Sequence, residues 1–289
     1  MPDAHALPAE LQMLHTRWTV SGRPPQPATA WRPPRWTPWF PEHVEYLHSL
    51  PNPISRTDVA AQFLEADLDE DAAVRAFLAA MVWGYGRIGY GPYRTAGVLA
   101  GTDRAAGLLL ATLQVTRTGG GEAGFTHLAQ NRLKGFGVAF ATKYLYFCVA
   151  DRQTVAQAPI MDSIVCNWLA RFAGWRPRTE WVVGDYQRYC DQVRSWSTQL
   201  EELPGTIEYL IFAGGAGIAN GWGHRPLGEA FGRGARSFGV AAVLEALADA
   251  VEAYEALPNP DSSGQEAFRD GVRELERIAL ARARVEPES

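Results

Sequence analysis

From Arg56 onward the apolar residues recur at helical spacing. AAVRAFLAAMVWG (72–84) is apolar on nearly every face and predicts a buried helix that stops at Gly84. Asp69, Glu70 and Asp71 crowd its start, where negative charge complements the unpaired N–H groups of a helix. Thr57 and Asp58 read as caps of a helix before it. DRAAGLLLATLQV (103–115) predicts a second buried helix, TRTGGGEAG (116–124) a loop, and the residues up to Gln130 a short helix. LKGFG (133–137) reads as a tight turn into the apolar helix VAFATKYLYFCVA (138–150). PIMDSIVCNWLARFAGW (159–175) predicts another helix, with Pro159 near its start and Gly174 near its end. Tyr186, Tyr189, Cys190, Val193, Trp196 and Leu200 again follow the 3.6-residue period. TIEYLIF (206–212) continues the pattern into a flexible glycine-rich run, and two further helices are expected over 239–256 and 264–284. Strand signals are confined to WTV near Trp18 and WVV near Trp181, and no internal repeat is visible. The expected class is all-α, or nearly so.

The N-terminal part breaks this pattern. Residues 22–53 hold nine prolines, which excludes a regular helix through the stretch. Trp31, Trp36, Trp39 and Phe40 argue against a bare linker, because disordered segments are poor in aromatics. The expectation is an extended arm (1–55) that packs its indoles onto the body and carries Arg23, Arg32 and Arg35 on its surface. A helical core (56–212) and an acidic helical extension (213–289) complete the layout.

Hydrophobic residues make up 47% of the 289, enough for a sizeable core. No apolar run reaches the roughly 20 residues that span a bilayer, and the N-terminus lacks the pattern of a signal peptide. A soluble cytoplasmic protein with no membrane partner is expected. Cys148, Cys166 and Cys190 are too few and scattered for a disulfide framework or an all-cysteine metal site and read as core residues. The net charge of −5 hides an asymmetry: residues 245–289 carry eleven acids against five arginines, leaving the rest at +1. A nucleic acid is therefore not excluded as partner, and the amphipathic helix within the acidic tail offers a surface for a protein partner.

Two stretches carry candidate chemistry. The turn Leu133-Lys134-Gly135-Phe136-Gly137 exposes successive N–H groups beside a helix N-terminus, a concavity that binds phosphate. The bland alternative is a tight interhelical turn. Downstream, Asp162 lies near the start of an apolar helix and could be no more than its N-cap. The glycine- and tyrosine-rich segment 84–94, with Tyr85, Arg87, Tyr90 and Arg94, reads as a loop. By itself it is a surface turn. The six histidines show no metal-ligand spacing, and Gly214, Gly215, Gly217 and Gly221 form no dinucleotide fingerprint, so no metal or organic cofactor is implied.

The turn, the apolar helix after it and the hydrophobic-Asp segment resemble the helix-hairpin-helix DNA glycosylases. More narrowly, Trp83-Gly84-Tyr85-Gly86, Gly89-Tyr90-Gly91-Pro92, Arg94-Thr95, Lys134-Gly135-Phe136-Gly137, Thr142-Lys143-Tyr144 and Asp162 resemble bacterial proteins with an 8-oxoguanine DNA glycosylase fold, over about residues 57–212. The resemblance implies a two-subdomain helical fold, double-stranded DNA with a flipped base as partner, a hairpin that grips the DNA backbone, and Asp162 as the carboxylate that stabilises the sugar cation. Beside it, segment 84–94 reads either as a surface turn or as a wedge that fills the gap left by the flipped base. Members that also cut the strand carry a lysine two residues after the second hairpin glycine; Ala139 stands there. The expected enzyme is therefore monofunctional, with water as nucleophile. Lys143, four residues on, is a relocated nucleophile, a partner for Asp162 or a phosphate contact. The Gly137–Asp162 gap is also longer than the family pattern. The competing readings are a non-catalytic DNA-binding module with the same hairpin, and a structural protein of a larger complex.

Overall fold

The structure is a computed structural model that describes residues 6–150, 157–222, 247 and 262–284. Among them every regular element is helical, and the one β feature is an isolated bridge between Thr29 and Ile54. The elements are α1 (Ala9–Val20), α2 (Pro33–Trp36), α3 (Val44–Ser49), α4 (Arg56–Gln62), α5 (Glu70–Tyr85), α6 (Gly91–Ala100), α7 (Ala105–Gln130), α8 (Val138–Cys148), α9 (Ser163–Phe172), α10 (Val183–Leu200), α11 (Pro204–Gly215) and α12 (Ser262–Arg284). The all-α expectation holds. The two strand signals do not: Trp18 lies within α1, and Trp181 lies just before α10. No single helix among the described residues is long and apolar enough to cross a membrane. Of the two C-terminal helices, 264–284 is matched by α12, whereas 239–256 lies, apart from residue 247, outside the described residues.

The core forms around α5, whose small and apolar residues let α4, α6, α7 and α8 pack against it. Asp69 caps it, accepting from the Ala72 N–H at 2.7 Å. The cap of α4 is Ser55 rather than Thr57: its hydroxyl accepts from the Asp58 N–H, and the Asp58 carboxylate accepts from the Ser55 N–H at 2.8 Å. A second set, α1, α9 and α10, packs on α11, and α7 also touches α10. One hydrophobic cluster runs through both sets, from Leu11 to Trp222.

Three expectations need correction. The N-terminal stretch is not simply extended: α1 precedes the prolines, and α2 starts on Pro33 and Pro34, where a helix needs no N–H donors. Trp31 and Trp36 are buried as expected, with Trp31 Nε1 donating to the Pro51 carbonyl, but Trp39 is 47% exposed. The predicted loop 116–124 is mostly helix, broken only at Gly120 (φ 78°). Its polar residues are satisfied inside: the Thr116 hydroxyl donates to the Thr112 carbonyl, and the buried Arg117 pairs with Asp67. Finally, the predicted 84–94 loop shrinks to residues 86–90 between α5 and α6, with Gly86 (φ 54°) ending α5.

Candidate active site

Segment 157–162 crosses α8 and α10 without forming a helix, so the helix expected from Pro159 begins only at Ser163. Its peptide groups are held one by one. The Tyr186 and Tyr189 hydroxyls donate to the carbonyls of Pro159 and Ile160, at 3.1 and 3.0 Å, and the Met161 N–H donates to the Thr142 hydroxyl at 3.0 Å. The chain is thereby delivered to Asp162 in a fixed register. Asp162 caps α9: Oδ1 accepts from the N–H groups of Ile164 and Val165, both at 3.1 Å. Oδ2 faces Lys143 Nζ at 3.2 Å. Both side chains are nearly buried, at 3% and 6% exposure. Of the three roles open to Lys143, the resting structure shows the Asp162 partner. Cap and ion pair engage both carboxylate oxygens, so Asp162 is a rigidly placed charge.

The lysine stem reaches this position because Gly84 leaves room. A Cβ there would lie 3.1 Å from Lys143 Cδ and from the Phe140 ring. Phe140 in turn stacks on Tyr85 at 3.9 Å between ring centroids. Tyr85 is therefore core, 4% exposed, and not a wedge. Gly91 serves the same packing, since a Cβ there would sit 2.6 Å from the Tyr85 ring. Tyr90 is half-buried against Tyr85, Arg94 is half-buried on α6, and Arg87 is exposed. The outward aromatic of this stretch is Tyr93, 58% exposed and edge-to-face with the exposed Trp39.

At the turn between α7 and α8, Lys134 and Gly135 are exposed and Gly135 takes φ +79°, which favours glycine. Phe136 departs from its expected DNA contact. Its side chain is buried edge-to-face against Phe77, and its N–H is spent on the Leu133 carbonyl. Gly137 caps α8 with an ordinary backbone, φ −75°. The first turn of α8 presents the N–H groups of Val138 and Ala139 outside the helix ladder, as every helix start does. Lys143 lies six residues further along α8, about 9 Å from Gly137.

A second buried pair went unnoticed in the sequence. Arg56 Nη1 donates to Glu208 Oε2 at 2.7 Å, with Glu208 1% exposed. Burial pushes the Glu208 carboxyl above the usual carboxylate range, opposed by Arg56; Asp162 adds to the rise and Lys143 opposes it, so the two pairs feel each other. The available signal was a lone acid in the apolar run of α11. Cys148, Cys166 and Cys190 are buried and form no disulfide, and burial pushes Cys166 up to about 12, consistent with core roles.

The class is DNA glycosylase-like, as the match to a family model shows. The family model described as "Putative 8-oxoguanine DNA glycosylase OGG-like protein" matches residues 22–212, and the chain belongs to that family. The match begins well before the residue-57 limit expected from the sequence, so the proline- and tryptophan-rich stretch is part of the family's unit. No curated protein and no solved structure matches the chain.

Proposed function

We propose that the protein is a monofunctional DNA glycosylase that extrudes a damaged or modified base and hydrolyses its N-glycosidic bond. The observation that carries this reading is the buried Lys143–Asp162 pair, held at the end of a pinned segment behind the glycine turn. In this reading the turn and the two helices it joins form a helix-hairpin-helix. A DNA phosphate sits on the first turn of α8, beside Gly135 and Gly137, with Lys134 adding charge. As the C1′–N bond breaks, the base leaves with the bonding pair and takes a proton. Positive charge builds on the sugar, and the fixed carboxylate of Asp162 stabilises it. Water adds its oxygen to C1′ and loses a proton. The DNA face runs from Lys134 along α6, whose end at Gly101 lies beside Lys134, to Tyr93 and Trp39. The enzyme works in the cytoplasm, in base excision repair or in defence against modified viral DNA, and α12 offers its exposed Leu275 and Ile278 to a protein partner.

Mass spectrometry of bases released from a panel of genomic and viral DNAs tests the reading. A free base and matching abasic sites are expected; DNA binding without release from any of them would leave the docking module instead. The hairpin has its own test. Gly137 has an ordinary φ, and aspartate is a favoured N-cap, so Gly137→Asp should fold at least as stably as wild type. Its charge nevertheless occupies the phosphate site, so affinity should fall for every duplex alike. Unchanged affinity, or a loss confined to one sequence, would contradict phosphate docking.

A further inference from the structure

A cavity of about 530 Å³ opens at the C-terminal end of α8. It falls within the roughly 300–1,000 Å³ of pockets that take small ligands. Trp18, Tyr146 and Tyr209 are among its lining residues, Gln26 and Thr206 supply polar groups, and Arg23 and Arg56 supply cations. Tyr146 is one turn beyond Lys143 on α8, so the cavity and the buried lysine share a helix.

Arg56 is held unusually firmly. Its guanidinium lies 4.7 Å from the Tyr146 ring centroid and 5.3 Å from that of Trp83, while Glu208 fixes Nη1. Burial opposes its charge, but Glu208 keeps its pKa above the ordinary arginine value. Among the described residues, Arg56 Nε and Glu208 Oε1 have no hydrogen-bond partner. A buried ion pair is a poor device for stability alone, because apolar residues of the same volume commonly do as well. It is a good device for fixing a donor-only group beside a cavity. A guanidinium donates and cannot accept, so a polar atom of a ligand placed against it must be an acceptor. The surrounding rings suit a flat heterocycle.

We propose that this cavity receives the extruded base and that Arg56, fixed by Glu208, selects it by donating to acceptors on the base's edge. The proposal rests on the glycosylase reading above and adds its specificity-determining residue. A base offering a donor at that edge is refused, because Arg56 would then remain buried without its partner.

The test uses two variants of the full chain. Arg56→Met combined with Glu208→Gln removes the guanidinium without leaving a lone buried charge. Thr206→Trp fills the cavity from its rim. For DNA whose base the wild type releases, both folded variants should bind duplex as wild type does and release base at saturating DNA about 100-fold more slowly, or worse. Wild-type release rates in both would overturn the proposal and leave the glycosylase reading standing. If the wild type releases no base from any DNA, titration calorimetry with free guanine, 8-oxoguanine and 5-hydroxymethylcytosine decides. Binding of one of them that Thr206→Trp abolishes supports the cavity while the glycosylase reading fails. Binding of none overturns the cavity as well.

Discussion

Asp162→Asn is expected to lower base release by about 100- to 1,000-fold, the usual cost of removing a key electrostatic group from an active site. The substitution separates the two roles that the structure gives this residue. Asparagine is as good an N-cap as aspartate, and its carbonyl can still accept from the Ile164 and Val165 N–H groups. What disappears is the charge facing Lys143. Unpairing a buried ion pair commonly costs about 3–5 kcal/mol, so the melting temperature should fall while the helical signal and duplex affinity persist. Single-turnover release with saturating enzyme, read beside duplex binding, is the measurement. A folded Asp162→Asn protein that excises at the wild-type rate would reduce Asp162 to a cap.

The same residue shows how far the sequence could be read. Its position at a helix start and the glycine turn upstream are local patterns, legible from residue types and spacing. The contact with Lys143 is not local. It depends on a segment pinned by Thr142, Tyr186 and Tyr189, whose hydroxyls serve backbone groups that no periodicity reveals. The Arg56–Glu208 pair spans 152 positions and left as its trace one acid among apolar residues. Tyr85 misled because tyrosine beside glycine suggests a loop, whereas Gly86 and Gly91 are there to end α5 and to let its ring pack on Phe140. Segment 116–124 misled for a related reason. Threonine and glycine look like loop formers until the hydroxyls bond back to carbonyls one turn earlier, as Thr116 does. Contacts between elements decided the two ion pairs and the packing of Tyr85.

Borohydride added during turnover is expected to trap no protein–DNA adduct, and the abasic product should stay uncut until alkali is added. Strand cleavage by β-elimination is assisted by an imine, and an imine needs a neutral amine at the sugar's C1′. Ala139 has none. Lys143 has one, but its Nζ is held 3.2 Å from Asp162 Oδ2 in a site almost closed to solvent, where an ion-paired ammonium has no lone pair to offer. Becoming a nucleophile would require it to hand its proton away and abandon a buried partner. The paired variant makes the test decisive. Lys143→Ala should lose stability by about 3–5 kcal/mol, because it leaves the Asp162 carboxylate buried without its cation. At a temperature where it stays folded, it should still release base, because Asp162 keeps its place through the two N–H groups of α9. An adduct that forms in wild type and vanishes in Lys143→Ala would overturn the monofunctional reading and make Lys143 the nucleophile, with the ion pair as its resting state. Residual release by Lys143→Ala, without trapping in either protein, is the result that direct attack by water requires.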